Sequence, residues 1–423
     1  MLRTFIALMG VVLFVLTAAA CVPALPPSST GSNVNTVPAQ TPTPAPIVSA
    51  IPALTDTPET ARPQPTPTQP PAVPTVLPAP LYYLAPSGAT QQIWRIETDG
   101  TTRTQITQEA AGVTDFDVSA RDGSLAFLSG NALVTMDGRG NNRSVLVQGP
   151  QLAPERNESY YTSEVTKPRW SPDGARIAYG MNGINLIDAA GGTPTALLPN
   201  DPIPAPGEPP TGSVQLYWPY NWSPDGVRML IEVGHYGGEG SVGVLNLADN
   251  SVLSLSSPQG YVCCVPAWAP DSQNIFYANP IDGIVSPGLW RTNVTTGEGE
   301  TLINGMAKDA ILSVANAFPT ADNNLYYFYA VTKAPSDPSQ SVPLSMYRSQ
   351  SDGVTDQTQL RTDAHVIGEA LWATDASGAV IVDVQAALES GVYPPQGPLL
   401  YLKADGSPAV PLAAVGHLLR WGK

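Results

Sequence analysis

Charged side chains are scarce in this chain of 423 residues, and acids outnumber bases. Lysine, arginine, aspartate and glutamate together make up only 13% of the sequence, which disfavours a helical fold rich in Lys and Glu. There are 35 acidic and 20 basic residues, giving a formal net charge of -15. Because this excess of negative charge repels a phosphate backbone, we do not expect nucleic acid as a partner.

Sequence motifs for common enzyme chemistry are also missing. The chain has no G-x-S-x-G, no H-E-x-x-H and no paired C-x-x-C, and it contains only three histidines. From the sequence we therefore predict no catalytic residues, no metal and no cofactor, and we favour a protein that is not an enzyme. A hydrolase or lyase that uses scattered carboxylates and a histidine stays open as the alternative.

The first 20 residues have the layout of a secretory signal peptide. Arg3 precedes an apolar run from Phe5 to Leu16, which is short for a membrane span, and small residues lead into Cys21. Small residues followed directly by cysteine resemble the lipobox of bacterial lipoproteins, although Ala18 stands where leucine is usual. The resemblance implies a lipid on Cys21 and an extracytoplasmic protein anchored to the cell membrane or outer envelope.

Residues 21–80 are predicted to be a disordered tether. After the cysteine this segment consists mainly of Pro, Thr, Ala and Ser, as in RPQPTPTQPPAVPT, with almost no charge and few large apolar side chains. Such a composition cannot bury enough apolar surface to offset the entropy lost on ordering, and its prolines favour an extended, polyproline-like backbone. The folded part of the chain is therefore expected over 81–423.

A repeat is the strongest pattern in that part of the chain. RWSPDGARIAYG (169–180) returns as NWSPDGVRMLIEV (221–233) and as AWAPDSQNIFYA (267–278), and weaker copies occur elsewhere. Each copy predicts a strand that ends near an aromatic residue, a tight turn, and a second apolar strand. The turn residues fit this interpretation because Pro presets φ, Asp bonds its own backbone and Gly accepts a positive φ.

A second series of strand-and-turn segments alternates with the first, as in IWRIETDG (93–100), INLIDAAGG (184–192) and LYLKADG (400–406). Two hairpins per repeat give four antiparallel strands at a period of about 50 residues, which is typical of a β-propeller blade. We count seven blades, with six or eight possible if one weak copy is misassigned. The predicted fold is an all-β, seven-bladed propeller that we expect to be monomeric.

The first blade has only three strands of its own, because the segment before Leu81 is the proline-rich tether. The stretch VGHLLRW near the C-terminus matches the missing innermost strand, and Trp421 lies 49 residues after Trp372. We therefore predict that the C-terminal strand closes the ring, which would remove two open sheet edges. The W-S-P-D-G turn followed by an apolar strand resembles the TolB-type, WD-like propeller repeat.

Loop lengths predict which face of the propeller binds. The short S-P-D-G turns share one face, whereas the long and irregular connections share the other, where binding sites usually lie. The candidate residues on that open face are Tyr160, Tyr161, Tyr217, Trp218, His235, Tyr236, Cys263, Cys264, His365 and Glu369. Each aromatic residue has an alternative role as packing between blades.

The adjacent cysteines Cys263 and Cys264 leave two alternatives open. In an extracytoplasmic compartment they could form a disulfide with each other. Neighbouring Cα atoms lie about 3.8 Å apart, below the lower limit of about 4.4 Å for ordinary disulfides, so the ring would be strained. The other alternative is a pair of reduced thiols on opposite sides of a strand.

Three functions fit these features. The favoured hypothesis is a binding or scaffold module, anchored by lipid, that holds a protein, peptide or glycan partner at the cell envelope. The alternative is a carbohydrate- or peptide-active hydrolase or lyase that uses the central channel with carboxylates, His235 or His365. The TolB-type resemblance implies a third, a structural part of an envelope complex. Convergence of both histidines with acids would favour the enzyme, and an aromatic groove without them would favour binding.

Overall fold

The computed structural model describes residues 75–153, 160–204, 214–235, 240–255, 266–280, 286–333, 341–386 and 396–423. Within these ranges the chain forms 27 β-strands and one short helix, α1 (Tyr160–Ser163). They belong to one compact unit, Pro70–Lys423. No helix in the described ranges has the length and apolar character needed to cross a membrane. The predicted signal peptide, Cys21 and most of the tether lie outside the described residues.

Five of the sheets are antiparallel meanders of four consecutive strands. The first contains β4 (Phe116–Val118), β5 (Leu125–Ser129), β6 (Ala132–Met136) and β7 (Ser144–Gln148). The second contains β8 (Thr166–Trp170), β9 (Arg176–Gly180), β10 (Gly183–Asp188) and β11 (Thr195–Pro199). The third contains β12 (Gln215–Trp222), β13 (Arg228–His235), β14 (Ser241–Asn246) and β15 (Val252–Ser254).

The other two meanders follow the same order. The fourth contains β16 (Ala267–Trp268), β17 (Asn274–Asn279), β18 (Gly288–Asn293) and β19 (Gly299–Asn304). The fifth contains β20 (Ala310–Pro319), β21 (Asn324–Lys333), β22 (Ser345–Gln350) and β23 (Thr358–Gln359). The prediction of an all-β fold built from four-stranded antiparallel sheets is confirmed.

The sixth sheet has seven strands and joins the two ends of the described chain. Its order is β24-β25-β26-β27-β1-β2-β3. These strands are β24 (Ile367–Trp372), β25 (Gly378–Asp383), β26 (Gly397–Lys403), β27 (Val410–Trp421), β1 (Leu81–Ser87), β2 (Thr90–Ile96) and β3 (Arg103–Gln105). The early part of β27 pairs with β26, as in Leu399↔Ala413, and its end pairs with β1, as in Leu81↔Trp421. One strand therefore serves both halves of this sheet.

The S-P-D-G segments form the tight turns that the sequence predicts. The Ser171 hydroxyl donates to Asp173 Oδ1 at 2.6 Å, and the Ala175 backbone N–H donates to the same oxygen at 3.0 Å. Gly174 has a φ of +64°, a conformation that glycine adopts without steric cost. These hydrogen bonds lower the pKa of Asp173, because they favour its charged form. The same network recurs at Ser223 and Asp225.

The core consists of apolar clusters, most of which lie between two consecutive sheets. One cluster joins Leu128 and Leu133 of the first meander to Trp170 and Ile177 of the second. Another packs the two halves of the seven-stranded sheet against each other and includes Leu81, which is completely buried. Full burial of a leucine stabilises the fold by about 2 kcal/mol, so these clusters are the main source of cohesion between sheets.

The first strands of most consecutive sheets contact one another, and the end of β27 has the corresponding place between β24 and β4. β4 contacts β8, β8 contacts β12, β16 contacts β20, β20 contacts β24, β24 contacts β27 and β27 contacts β4. We call these strands the inner strands. The Trp222 indole Nε1 donates to the backbone carbonyl of Arg169 at 3.1 Å, and the Trp372 indole donates to Asn316 at 2.8 Å. Each of these two tryptophans, which precede tight turns, thus links neighbouring inner strands.

Candidate functional site

A small cavity lies on the predicted binding face, between the second and third meanders. It has a volume of about 180 Å³. Its lining residues are Tyr160, Tyr161, Glu164, Thr166, Lys167, Met181, Asn182, Trp218 and Glu232. We call it the Tyr161–Trp218 pocket. Three of the residues that the sequence nominated, Tyr160, Tyr161 and Trp218, therefore come together in one place.

The topology explains why these residues meet. The helix α1 and the residues up to Thr166 lead into the inner strand β8, while Met181 and Asn182 form the turn between β9 and β10. Both connections lie on the face opposite the S-P-D-G turns. The inner strand β12 and its partner β13 supply Trp218 and Glu232, which are directly paired across the ladder. Two neighbouring sheets thus form the walls of the pocket.

Lys167 reaches across this pocket from an irregular part of β8. The strand has a register shift between Thr166 and Arg169, and Lys167 has a φ of +48°, which is uncommon for a residue other than glycine. A bulge of this kind changes the direction of a side chain and is frequent near functional sites. It sends the Lys167 ammonium from the second meander towards the third.

The ammonium of Lys167 is held by two rings and a carboxylate. Its Nζ lies 5.9 Å from the centre of the Trp218 ring and 5.8 Å from that of Tyr220, both within the range of a cation–π contact. It also forms an ion pair with Glu232. The side chains of Lys167 and Glu232 each keep 30% of their surface exposed, so both remain accessible from solvent.

Two glycines make room for the indole of Trp218. A Cβ added at Gly234 would lie 2.6 Å from Trp218 Cζ3, and one added at Gly180 would lie 3.1 Å from Trp218 Cδ1. Neither position could carry a larger side chain without moving the ring or the strand. On its other side the ring lies 6.5 Å from that of Tyr161, at a tilt of 56°. The position of Trp218 is therefore set by backbone as well as side chains.

The other candidate residues near the third meander do not line the Tyr161–Trp218 pocket within the described part of the chain. Tyr217 is buried in the apolar cluster between the second and third meanders, and its hydroxyl donates to Gln215 Oε1. Burial raises the pKa of Tyr217, and the charge of Asp201 adds to that shift. His235 ends β13, where its backbone pairs with Gln215. The His235 side chain, Tyr236, Cys263 and Cys264 lie outside the described residues, so both alternatives for the cysteines stay open.

His365 lies apart from the pocket, in a cluster before β24. Its Nδ1 is 2.9 Å from Asp383 Oδ2 and its Nε2 is 3.3 Å from Asp363 Oδ2. The guanidinium of the buried Arg361 donates two hydrogen bonds, of 2.9 and 2.8 Å, to the carboxylate of Asp363. These bonds lower the pKa of Asp363; burial opposes the shift, and His365 adds to it. Both imidazole nitrogens therefore face groups that already act as acceptors.

Glu369 joins β24 to β27. Its carboxylate oxygens accept hydrogen bonds from the backbone N–H groups of Leu418 and Leu419, each at 2.7 Å. A φ of +52° at Leu418 presents two consecutive N–H groups to one carboxylate. Burial raises the pKa of Glu369, and the nearby charge of Arg420 opposes that shift. This candidate residue lies among the inner strands and not in the Tyr161–Trp218 pocket.

Sequence reasoning missed the charged residues that link successive inner strands. Arg420 of β27 donates to Asp117 of β4 at 3.1 Å, and Arg169 of β8 pairs with Asp115 at 3.3 Å. Arg169 also donates to the backbone carbonyl of Tyr220 in β12 at 2.9 Å. No local motif signals these pairs, because the partners are far apart in sequence. Together with Glu369 they form a line of polar contacts across the inner strands.

A second cavity, of about 410 Å³, was also missed and lies among the ends of the inner strands. Residues of five sheets line it, including the tryptophans Trp170, Trp222, Trp268 and Trp372. All four are largely buried, with their rings packed between sheets. The Trp that comes before the tight turn in each of these four repeats was the available signal, and its role here is mainly packing.

The described residues address one part of the criterion set from the sequence, because the side chain of His235 lies outside them. The residues that line the Tyr161–Trp218 pocket include three aromatic side chains and no histidine. His365 meets two carboxylates, but it does so in a separate cluster on the last sheet. The aromatic cavity and the histidine–carboxylate cluster are thus two different places in the described part of the chain.

Comparison with solved structures supports the fold. TolB from Acinetobacter baumannii matches at 13% identity over 81% of this chain and 82% of that chain, with a TM-score of 0.41. TolB from Agrobacterium tumefaciens matches at 15% identity over 63% and 85%, with a TM-score of 0.37. A puromycin hydrolase matches at 11% identity over 83% and 54%, with a TM-score of 0.53. No family model and no curated protein matches the chain.

The sheet topology defines the class of protein. Four-stranded antiparallel meanders are the blades of a β-propeller, and TolB proteins, which the W-S-P-D-G repeats led us to expect, are among the structures that match. The chain spans only about half the length of the puromycin hydrolase, and at these identities the likeness concerns the fold alone.

Proposed function

We propose that the protein is a lipid-anchored, extracytoplasmic binding module whose Tyr161–Trp218 pocket holds a protein, peptide or glycan partner at the cell envelope. The observation that carries this proposal is the pocket itself, where aromatic rings, an ammonium and carboxylates from two sheets surround one accessible cavity. Few polar groups at fixed positions among aromatic walls are typical of ligand sites. An anchor on Cys21 and the proline-rich tether between it and the compact unit would hold the monomeric propeller away from the membrane.

We propose further that the propeller is a ring of seven blades closed by β27. The proposal is supported by the pairing of β27 with both β26 and β1. It is also supported by the apolar cluster between the two halves of the seven-stranded sheet and by the contacts of β27 with β24 and β4. Closure would give the binding face a rigid base, since β1 pairs with β27 and is not left at an open edge.

An enzyme acting on a carbohydrate or peptide is the second candidate. One observation favours it, the 2.9 Å contact between His365 Nδ1 and Asp383, because a carboxylate that orients an imidazole is common in general-base catalysis. Against it, the other nitrogen faces Asp363, which Arg361 holds in place. A base needs a free nitrogen for its substrate, so the contact better fits a structural tie.

The binding proposal is tested by recovering partners from solubilised membranes with the full-length protein and with Trp218→Ala. Val227→Ser is the matched control, because Val227 is exposed on the same sheet beside the S-P-D-G turn of the opposite face. Loss of a central aromatic contact should lower recovery of a specific partner about tenfold. Equal recovery with all three proteins would contradict a site at this pocket.

A further inference from the structure

We propose that the Tyr161–Trp218 pocket recognises a cationic side chain, a lysine ammonium or an arginine guanidinium, presented by a peptide segment of the partner. The inference rests on the proposed binding function and specifies the chemistry of its ligand. In the structure the cation position is filled by the chain's own Lys167, which acts as an internal occupant. A partner cation would bind by displacing that ammonium or by sharing the same rings and carboxylates.

The contacts of Lys167 show which chemistry the pocket favours. The faces of Trp218 and Tyr220 carry the negative part of the ring quadrupole, and both lie within 6 Å of an ammonium nitrogen. The carboxylate of Glu232 completes the site from the neighbouring strand. Two rings and an acid around a positive charge are the elements of an aromatic cage for cations.

The backbone fixes the positions of Lys167 and Trp218 in the site. Gly180 and Gly234 keep the space that the Trp218 indole occupies, and the left-handed backbone at Lys167 directs its side chain at the rings. A lysine holds such a conformation only where the surrounding structure fixes it. The Lys167 side chain has a flexible four-carbon stem, and 30% of its surface is exposed. Its ammonium can therefore leave the site while the rings stay in place.

The local charge favours an incoming cation over an anion. The carboxylate of Glu232 is the acidic partner of the Lys167 ammonium, and both groups line the pocket. Displacement of that ammonium would leave the Glu232 carboxylate available to a cation of the partner. The net charge of -15 on the whole chain acts in the same direction and would attract a basic segment of a partner.

The experiment measures ligand binding by the ¹⁵N-indole signal of Trp218 in the full-length protein, assigned from its loss in Trp218→Phe. The probes are N-acetyl-arginine amide, its neutral near-isostere N-acetyl-citrulline amide, and N-acetyl-glutamate amide as an anion. We expect the arginine probe alone to shift the signal. Glu232→Gln should weaken its binding about tenfold, because a charged hydrogen-bonding partner is lost. Lys167→Met should strengthen it, because the competing ammonium is gone.

Two results would overturn this inference. One is equal binding of the arginine and citrulline probes, and the other is binding of the glutamate probe that disappears in Lys167→Met, which would make Lys167 an anion receptor. Val227→Ser serves as the control and should leave every affinity unchanged. If Trp218→Ala loses its partner while the arginine probe does not bind, the cation inference fails and the binding function stands. If Trp218→Ala keeps its partner, the binding function fails.

Discussion

The indole Nε1 of Trp421 donates a hydrogen bond of 2.7 Å to the backbone carbonyl of Trp372. The donor lies at the end of β27 and the acceptor at the end of β24, so the bond links the inner strands of the two halves of the seven-stranded sheet. Trp222 makes the corresponding bond to Arg169, between the inner strands of the second and third meanders. The Trp421–Trp372 hydrogen bond thus has the same form as the bond between two consecutive meanders.

The first prediction concerns this indole bond. Trp421→Phe should lower the free energy of unfolding by about 1 kcal/mol, because it removes the donor but keeps most of the apolar ring. Trp170→Phe is the matched control, since in the described part of the chain the Trp170 Nε1 has no hydrogen-bond partner. Urea unfolding followed by circular dichroism measures both variants. An equal cost for the two substitutions would show that the bond to Trp372 contributes nothing specific.

The second prediction concerns the closing strand. Deletion of residues 417–423 removes the completely buried Leu419, the partners of Leu81 and Tyr82, and the groups that Glu369 binds. We expect the unfolding temperature to fall by about 10 °C or more, because two sheet edges and an apolar cluster are opened. Differential scanning calorimetry measures the change. Cooperative unfolding at the wild-type temperature would rule out closure by β27.

The third prediction concerns the room that glycine leaves for Trp218. Gly234→Ala places a Cβ against the indole, so we expect the ring to move, partner recovery to fall, and the protein to lose about 1–3 kcal/mol of stability. Gly240→Ala is the control, because among the described residues a Cβ there meets only the Val233 carbonyl oxygen, at an ordinary 3.6 Å. Wild-type partner recovery by Gly234→Ala would mean that the position of Trp218 does not matter for binding.

The fourth prediction concerns pH. The hydrogen bonds from Arg361 hold the pKa of Asp363 below its ordinary value, so the folded state binds this proton less readily than the unfolded chain does. The stabilisation is therefore present above about pH 4 and is lost as the pH falls through the lower, folded-state pKa. Asp363→Asn should reduce the loss of unfolding free energy at acid pH, measured by urea unfolding at a series of pH values. An unchanged pH slope in the variant would exclude a contribution from this pair.

The fifth prediction concerns the anchor. Cys21→Ser should move the protein from the membrane fraction to the soluble fraction, because the acyl chains that we propose as its anchor would have no other cysteine to attach to in the lipobox-like segment. Fractionation followed by immunoblotting measures the distribution, and metabolic labelling with a fatty-acid analogue reports the modification itself. Labelling that persists in Cys21→Ser would place the lipid elsewhere or show that the signal peptide is of another kind.

The architecture could be predicted from the sequence because its determinants are local. The S-P-D-G segments carry their own turn chemistry, and the network at Ser171 and Asp173 forms within a few residues. The face that carries the Tyr161–Trp218 pocket could be predicted as well, since topology alone puts the connections before β8 and after β9 on one side. Tyr161 and Trp218 are therefore found together where loop lengths indicated.

The chemistry of the pocket could not be predicted, because it depends on a backbone irregularity. Lys167 belongs to a strand segment whose pattern gives no sign of a bulge, and only its φ of +48° directs it towards Trp218. Glu232 would ordinarily be assigned as a solvated strand residue. The pairing of Arg420 with Asp117 joins residues 303 positions apart, beyond any local pattern.

Site-specific photo-crosslinking tests the central claim, that a partner binds at the Tyr161–Trp218 pocket, most directly. A benzophenone amino acid at Met181, which lines the pocket, should capture the partner in cells, whereas the same group at Val227 on the opposite face should not. Mass spectrometry of the adduct from Met181 is expected to identify a peptide with a lysine or arginine near the crosslink. Capture of the same partner from Val227 and not from Met181 would contradict the account.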